Sequence, residues 1–404
     1  MAGLLSGMRV VEGAAFVAVP LGTMTLAQFG ADVIRFDPIG GGIDYRRWPI
    51  TSDGVSLYWA GLNKGKRSVA IDLRSDEGRE LAIALITAPG EDAGIFLTNY
   101  PPGGWIDYEH LRQLRTDLIM GQLVGDVDGG TAVDYTVNAS VGYPAITGPE
   151  GHEGVVNSVL PAWDLLAGVT LATGILAAER RRHRTGKGGL LRLPLINVAL
   201  GVLGHLGQIG EAQVNGVDRG RFGNHLYGAF GRDFVTSDNQ RVMVVAITPR
   251  QFQALMKAAM LDDAIAELET RLGHPLDSDG HLFDAREEIA ALLEPWFAAT
   301  PLADVAKSLD GNRVLWAQYQ TTKELLEHDV RASPANPMFA EVEHPGIGSI
   351  LTPGSPFAPG AETVPPAPAP RLGEHTEQVL VEVLGLSQAQ VGSLHDRKVV
   401  EIGR

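Results

Sequence analysis

The chain has 404 residues, of which 45% are hydrophobic and 20% are charged, a composition typical of a globular protein with enough apolar material for two domains. Its formal net charge of −15 argues against nucleic acid or an anionic membrane as a partner, because such partners require a broad basic face. No cysteine is present, so disulfides, thiolate metal sites, cysteine nucleophiles and iron–sulfur clusters are excluded.

The first third of the chain alternates short β-rich runs with helical patterns. The β-rich runs, bounded by Gly, Pro or Asp, are MRVVEGA (8–14), DVIRFDP (32–38), RSVAIDL (67–73), DAGIFLTN (92–99) and DLIMGQLVG (117–125). The helical patterns between them are PLGTMTLAQFG (20–30), DEGRELAIALIT (76–87) and YEHLRQLR (108–115). Short apolar strands that alternate with helices predict an α/β fold with a parallel sheet covered on both faces.

The rest of the chain predicts a long helix, a smaller unit and an extended tail. The helix runs from Asp164 to Arg182 and ends in the basic run ERRRHRTGKG (179–188). Residues 226–325 predict the smaller unit, with a hairpin of FGRDFVTS and QRVMVVAI followed by the helical patterns PRQFQALMKAAML, AREEIAALLEPWF and LADVAKSLDG. The Pro- and Gly-rich residues 352–376 predict an extended strap, and EQVLVEVLGL predicts a last helix.

Several common kinds of functional site have no motif in this sequence. No GxGxxG follows the first strand, and neither a GxxxxGK[ST] phosphate loop nor a GxSxG nucleophile elbow is present. A nicotinamide-dependent enzyme is therefore disfavoured, and no His/carboxylate spacing predicts a metal site. The N-terminal stretch has no basic region of a signal peptide, and the most apolar stretch after it, Leu190 to Leu206, is too short to span a bilayer, so we expect a soluble cytoplasmic protein.

The stretch LPAWDLLAG (160–168) places its one acidic residue, Asp164, at the start of the long helix. Aspartate is among the best N-cap residues, and capping is the reading that local pattern favours. A carboxylate at a helix N-terminus is also held in its ionised form, which a carboxylate nucleophile requires. Both interpretations stand at this point.

Two other segments could contact a ligand. NKGKRS (63–68) concentrates positive charge ahead of a strand, and it is either a solvated loop or a phosphate contact in which Gly65 allows close approach. The loop TNYPPGGW (98–105) follows a strand, and ligands of open α/β sheets bind beyond the carboxyl ends of the strands. A turn without function is the alternative for this loop.

Five ordered stretches together resemble the family III CoA-transferases. They are GMRVVEGAAFVAVPLGTMTLAQFGADVIRFDP, LNKGKRSVAIDL, TNYPPG, the segment from Asp164 through LAAERRRHRTGKG, and PAPRLGEHTEQVL, and they span nearly the whole chain. The resemblance implies a Rossmann-like large domain made of residues 1–225 and 326–404, a smaller α+β domain at 226–325, and an interlocked, ring-like homodimer. It also implies that Asp164 is the catalytic nucleophile, that coenzyme A enters as part of the substrate, and that no cofactor is tightly bound.

The resemblance also implies a set of CoA contacts. Two residues after the first strand match backbone contacts to the pantetheine and thiol end, and the others match the adenine and phosphate region. The set is Val17, Ala18, Asn63, Lys64, Gly65, Lys66, Asn99 and Tyr100. Pro38 and Asp107 depart from basic residues of a member that acts on formyl-CoA, and we expect Arg46 or Arg47 to compensate for them.

Within the family, YWAGLNKGKRS, VLPAWD and GNHLYGAFGRDF resemble members that move CoA between the C1 and C4 carboxyls of mesaconate, and this resemblance implies the same intramolecular transfer, through an aspartyl-CoA thioester, for this chain. Racemisation is disfavoured because GTAVDYTVNAS (130–140) contains no histidine for proton transfer. The possible anchors for the dicarboxylate are Arg47, His225, Tyr227 and Arg232. The alternatives are intermolecular transfer from a dicarboxyl-CoA to a free acid, a CoA-binding protein without catalytic activity, and an NAD-linked dehydrogenase.

Overall fold

The structure is a computed structural model that describes residues 3–357 and 363–403. The chain divides into two compact units. The first comprises Met1–Val141, Ser158–Gly210 and Asp329–Arg404, and the second comprises Gly142–Asn157 and Glu211–His328. The sequence-based boundaries were 226 and 325, and the short segment Gly142–Asn157 has no pattern that assigns it to the second unit.

The elements are numbered in chain order. The strands are β1 (Arg9–Gly13), β2 (Asp32–Pro38), β3 (Arg67–Ile71), β4 (Ile95–Thr98), β5 (Ile119–Val124), β6 (Gly189–Pro194), β7 (Phe230–Val235), β8 (Arg241–Ala246), β9 (Leu315–Gln318), β10 (Phe339–His344), β11 (Gly348–Pro353) and β12 (Val400–Glu401). The helices are α1 (Ala18–Gln28), α2 (Leu57–Leu62), α3 (Asp76–Thr87), α4 (Tyr108–Leu114), α5 (Asp134–Ser140), α6 (Tyr143–Ile146), α7 (Ala162–Thr185), α8 (Leu195–His205), α9 (Gln208–Gly210), α10 (Pro249–Ala259), α11 (Asp262–Leu272), α12 (Asp279–Asp284), α13 (Arg286–Ala299), α14 (Leu302–Gly311), α15 (Thr322–His328), α16 (Thr376–Leu384) and α17 (Gln388–Asp396).

The first unit is built on a seven-stranded sheet in the order β12-β3-β2-β1-β4-β5-β6. Strands β1 to β6 pair in parallel, and β12 adds an antiparallel edge beside β3. Every residue of β4 and β5 is buried, as expected for central strands covered on both faces. The predicted α/β class and the five predicted strands are therefore confirmed, and the strand order reverses between β1 and β4, where open α/β sheets bind ligands.

The long helix α7 crosses α1 at two glycines. A Cβ on Gly168 would lie 2.6 Å from the carbonyl oxygen of Ala18, and one on Gly22 would lie 2.8 Å from the carbonyl oxygen of Gly168. The helix runs three residues beyond the predicted end at Arg182, and Gly186 follows Thr185 as a left-handed C-cap. Within the described residues, α7 is long and apolar enough to cross a membrane, but it packs on α1 and β5 as core helices do.

The second unit packs helices against the three-stranded sheet β7-β8-β9. The predicted hairpin is confirmed, with Phe230 opposite Ala246 and Val235 opposite Arg241. The three predicted helical patterns form α10, α13 and α14, whereas α11 and α12 were not predicted. Phe234 of the sheet stacks on Phe297 of α13 with ring centroids 4.4 Å apart, which anchors the core of this unit.

The C-terminal segment returns to the first unit. Of the predicted strap, residues 358–362 lie outside the described residues, and residues 363–371 have no regular secondary structure. Trp59 Nε1 donates to the Pro370 carbonyl at 2.8 Å, and the Gly65 amide donates to the Pro368 carbonyl at 3.0 Å. These bonds tie the strap to the segment between β2 and β3.

Candidate active site

The start of α7 is capped by a residue from another helix. Asp134 Oδ2 accepts hydrogen bonds from the backbone amides of Trp163, at 2.8 Å, and Asp164, at 3.1 Å. Pro161 is the N-cap residue, and Asp164 lies in the first turn without a side-chain bond to the helix backbone. The capping interpretation of Asp164 is therefore wrong. No local pattern could have revealed Asp134 as the cap, because it lies 30 residues earlier in the chain.

Burial and a neighbouring charge raise the pKa of the Asp164 carboxyl to about 6. Burial is the larger cause, and the carboxylate of Asp134 adds a repulsive contribution. Among residues 3–357 and 363–403, the Asp164 carboxylate has no hydrogen-bond or ion-pair partner. A carboxylate with this pKa is mostly ionised at neutral pH, and it is a stronger nucleophile than an ordinary exposed aspartate.

The face of α7 that carries Asp164 approaches the start of α1. Gly168 is one turn after Asp164, and the absence of a side chain there lets α7 touch the carbonyl of Ala18. The N-cap residue of α1, Val17, makes no side-chain capping bond, and its carbonyl accepts from the Leu21 amide. Because Pro20 has no N–H, the first-turn donors left for an anion are the amides of Ala18 and Val19. Phe16, just before it, holds a left-handed backbone with a φ of 68°, which is uncommon outside glycine.

The loop after β4 is fastened to the loop after β1. Asn99 accepts a hydrogen bond from the Ala15 amide at 3.1 Å and returns one to the Ala15 carbonyl at 2.8 Å. Thr98 Oγ1 donates to the Gly13 carbonyl and accepts from the Tyr100 amide. The structure thus brings the predicted residues 17, 18, 99 and 100 together at the carboxyl edge of the sheet, where the strand order reverses.

Arg47 and Tyr58 connect this region to the segment between β2 and α2. The Arg47 guanidinium carbon lies 5.1 Å from the centre of the Phe16 ring and 5.4 Å from that of Tyr58. Burial raises the pKa of Tyr58 to about 12, while Arg47 opposes the rise and Asp164 adds to it. Tyr58 therefore lies within the electrostatic reach of both residues, and only the tertiary structure identifies it.

A buried ionic network lies next to these residues, with Arg35 at its centre. The guanidinium donates to Glu12 at 3.1 Å, to both carboxylate oxygens of Asp37 at 2.8 Å, to Asp44 at 3.0 Å and to Asn63 at 3.1 Å. All five residues are almost completely buried. Because every N–H of the guanidinium has a partner, the network offsets the cost of burying its charge.

The two lysines of NKGKRS are buried and hydrogen-bonded to other groups of the protein. Lys66 is buried, and its amine donates to Glu12 and Pro20 as well as to Asn63. Lys64 is mostly buried with its amine on the Gly61 carbonyl, and burial lowers its pKa to about 8. The segment precedes β3, and the Lys66 amine reaches the Pro20 carbonyl in the first turn of α1. Arg74, three residues after the end of β3, is exposed. Its position directly after RSVAIDL could have indicated it as a cation beyond the carboxyl end of a strand.

The remaining predicted residues lie elsewhere. Asp107 caps α4 by accepting bonds from the amides of Glu109 and His110, and Pro38 is the last residue of β2. The three predicted substrate anchors of the second unit pair with carboxylates of the same unit. His225 Nε2 lies 3.0 Å from Glu287, Arg232 lies 3.1 Å from Glu294, and Tyr227 donates to Glu211.

One group of the described residues has ligand types that metals prefer. Atoms of Asp92, Glu179 and His183 lie within 4.8 Å of one another. Glu179 and His183 are four residues apart on α7, a spacing by which the sequence could have indicated this pair. His183 Nε2 pairs with Glu179 and lies 3.4 Å from Asp92, so the three side chains already contact one another.

Comparisons with known proteins agree with the resemblance seen in the sequence. Residues 5–376 match the model of CoA-transferase family III. The chain is 58% identical to 2-methylfumaryl-CoA isomerase of Chloroflexus aurantiacus, over 99% of this chain and 98% of that protein. It is 29% identical to succinyl-CoA:mesaconate CoA-transferase of Haloarcula marismortui, over 94% and 96% of the two chains. A CAIB/BAIF family protein from Brucella suis shares the fold, with a TM-score of 0.79, 24% identity and coverage of 95% and 100%.

Proposed function

The chain belongs to CoA-transferase family III, and on that premise we propose that it moves CoA between the C1 and C4 carboxyls of mesaconate, with Asp164 as the nucleophile. The observation that carries the assignment of the nucleophile is the position of Asp164. Its carboxylate is half-buried and unpartnered among the described residues, in a helix start that Asp134 already caps. The identity of 58% to 2-methylfumaryl-CoA isomerase supports the substrate.

The proposed reaction passes through two kinds of covalent intermediate. A carboxylate oxygen of Asp164 attacks the thioester carbonyl, the C–S bond breaks, and CoA leaves as a thiolate while an acyl–aspartyl anhydride forms. The thiolate attacks the aspartyl carbonyl, which yields an aspartyl-CoA thioester and the free dicarboxylate. The other carboxylate of the same acid then attacks this thioester, and the released thiolate attacks the substrate carbonyl of the second anhydride. Each step exchanges one anion for another, so no proton-transfer residue is required.

The proposed stabilisation of these intermediates comes from the start of α1. Each attack places negative charge on a carbonyl oxygen, and open amides of a helix N-terminus are suitable donors for it. The close approach of Gly168 to Ala18 supports this role, because it brings the Asp164 face of α7 beside that start. Asn99 fixes the preceding loop through both polar groups of Ala15 and keeps the donors in place.

Arg47 is the proposed anchor for the free carboxylate of the substrate. It has no carboxylate partner among the described residues, and it packs on Phe16 and Tyr58. The negative charge of Asp164 contributes to the raised pKa of Tyr58, which places Asp164 near this pair. An anchored acid stays in place while CoA is on the enzyme, and this allows intramolecular return. Arg47→Gln is expected to raise KM far more than Arg47→Lys, and an unchanged KM would remove Arg47 from this role.

The proposed CoA contacts lie at the carboxyl edge of the sheet. They are the backbone at Val17 and Ala18, the loop at Asn99 and Tyr100, and the exposed Arg74 for a phosphate group. Asn63 and Lys66 contribute indirectly, through the network that holds the neighbouring segment. Arg74→Gln should weaken the binding of CoA more than that of pantetheine, which lacks the nucleotide phosphates.

Further elements of the proposal concern the second unit and the assembly. His225, Tyr227 and Arg232 stay proposed secondary anchors, and their replacement by Gln, Phe and Gln should raise KM if they contact the acid. We also propose a cytoplasmic homodimer. Exposed apolar side chains of Leu166 and Val169 on α7 support burial against a second copy. Light scattering of the purified chain would refute the dimer by returning the monomer mass of 43.1 kDa.

The test of the reaction uses the C1 thioester of mesaconate together with isotope-labelled free mesaconate. Chromatography and mass spectrometry of the two CoA isomers should show the C4 thioester without label. Label in the C4 thioester would instead establish intermolecular transfer, the second candidate, and no conversion would contradict the substrate. Asp164→Asn should abolish conversion, while the exposed Asp53→Asn should leave it unchanged.

A further inference from the structure

The first unit contains a cavity of about 270 Å³ that is separate from the residues around Asp164. Its apolar wall is formed by Tyr45 and Trp59, whose rings meet edge to face with centroids 5.0 Å apart. Arg46, His344 and Arg371 also line it. This space is called the Arg46 cavity below. Its volume is near the lower end of the range for small-molecule pockets.

The charged residues of the Arg46 cavity carry only positive charge. No aspartate or glutamate is among the described residues that line it, although the chain has 48 acidic and 33 basic residues. Arg46 is exposed, and within the described parts of the chain its guanidinium has no hydrogen-bond or ion-pair partner. A cationic cavity in a protein with a net charge of −15 is complementary to an anion.

His344 does not supply this charge. Its ring is buried and hydrogen-bonded on both sides, with Nδ1 near the Ala369 amide at 3.4 Å and Nε2 at 2.9 Å from Thr352 Oγ1. Burial also lowers the pKa of His344, which keeps the ring neutral at physiological pH. The cationic group available to an anion is therefore the Arg46 guanidinium.

We propose that the Arg46 cavity is a second binding site, for a small organic anion with a flat apolar body, such as an aryl carboxylate or an aryl phosphate. The flat body packs against Trp59 and Tyr45, and the anionic group meets Arg46 through a charge-assisted hydrogen bond. Trp59 is a rigid wall for such a ligand. Its indole N–H is bonded to the Pro370 carbonyl at 2.8 Å, and the Arg35 guanidinium covers it at 4.5 Å.

The same chain segment lines the Arg46 cavity and carries the proposed substrate anchor. Arg46 faces the cavity, while Arg47 packs on Phe16 and Tyr58. Ser56 lines the cavity, donates its hydroxyl to the Arg47 carbonyl at 2.6 Å and caps α2 through the amide of Trp59. A ligand that orders this segment therefore alters the position of Arg47. This consequence rests on the proposed function, whereas binding itself does not.

Thermal unfolding of the full chain with benzoate or phenyl phosphate tests the binding, and benzyl alcohol serves as the neutral control. Each anion should raise Tm by about 2 °C at saturation, with a saturable concentration dependence, while benzyl alcohol should not. Arg46→Gln should lose the shift, whereas the exposed Arg180→Gln should keep it. An equal shift in Arg46→Gln, or no shift in the wild-type chain, would overturn the site.

Two further measurements separate this site from the proposed active site. Arg47→Gln should keep the anion-induced shift, and loss of the shift there would place the anion at the substrate anchor instead. In the isomerisation assay, the anions should change KM for the thioester at least two-fold in the wild-type chain and not in Arg46→Gln. Binding without any change in KM would overturn the coupling and leave the site. Absence of conversion in the assay would refute the proposed function alone, because the shift in Tm is read independently.

Discussion

Replacement of Asp164 by Asn is expected to stabilise the folded protein at neutral pH while it abolishes activity. The folded structure raises the pKa of this carboxyl from 3.8 to about 6. Below a pH of about 4, the carboxyl is protonated in both the folded and the unfolded chain, and it has no effect on stability. Between the two values the unfolded chain loses the proton first, so stability falls as the pH rises, and above a pH of about 6 the loss is complete.

The size of this effect follows from the shift. A change of about two pKa units corresponds to about 3 kcal/mol for a fully buried group. The Asp164 side chain is only partly buried, so solvent screening reduces the cost of its charge to about 1–2 kcal/mol. Asn also loses the favourable interaction of a negative charge with the helix start, about 0.5 kcal/mol. The net gain in stability at pH 7.5 is about 1 kcal/mol.

Differential scanning calorimetry at two pH values would measure this gain. Asp164→Asn should raise Tm by about 1–2 °C at pH 7.5 and leave it nearly unchanged at pH 4. Asp53→Asn, at an exposed position, should change Tm little at either pH. A lower Tm for Asp164→Asn at pH 7.5 would refute the reasoning, because it would mean that the ionised carboxylate stabilises the fold.

Three other substitutions address the parts around this residue. Asp134→Ala should lower Tm because it removes the cap of α7, which is worth about 1 kcal/mol. It should also move the acid limb of the pH profile of kcat/KM to lower pH, because Asp134 no longer raises the pKa of Asp164. Gly168→Ala places a Cβ 2.6 Å from a carbonyl of α1, so it should cost about 1–3 kcal/mol by calorimetry and reduce kcat in the isomerisation assay. Asp44→Ala leaves part of the buried Arg35 guanidinium unpaired and should cost about 1–3 kcal/mol by the same measurement.

Matched variants distinguish these effects from general damage. Gly392→Ala in α17 meets nothing within 4 Å and should be harmless, so a similar loss there would contradict the packing argument for Gly168. Glu77→Gln removes the exposed pair with Arg397 and should change the stability little, because solvent screens this pair. If Asp44→Ala costs no more than Glu77→Gln, the buried network does not hold its segment. An unmoved acid limb in Asp134→Ala would show that the two carboxylates are not coupled.

Much of the fold could be predicted because each of its main helices and strands is specified by residues that are neighbours in the sequence. DVIRFDP and DEGRELAIALIT form β2 and α3 over the residues their patterns predict. Both depend on the period of apolar side chains and on flanking turn residues, which neighbours in sequence determine. Helix α12 has only six residues, which is too short for a clear helical period, whereas Ile265, Leu268 and Leu272 give α11 an i, i+3, i+7 pattern that could have predicted it.

The site could be predicted only in part. Asp164 stands out in LPAWDLLAG, but its pattern favoured a cap, and the cap is supplied by Asp134 from a different helix. The positive charge of NKGKRS pointed to phosphate contacts, yet Lys66 is enclosed by Glu12 and Asn63. A charge pattern shows which groups are present, whereas burial and pairing decide whether they face a ligand.

The sequence by itself therefore determined the α/β class, the main helices and strands, the family resemblance and the residue proposed as nucleophile. These follow from the periodicity of apolar residues and from ordered motifs, which depend on residues that are close together in the sequence. Only the tertiary structure decided the strand order, the capping of α7 by Asp134, the ionic network around Arg35 and the Arg46 cavity. Each of these joins residues far apart in the chain, and their pKa values and contacts arise from burial and charge pairing that exist only after folding.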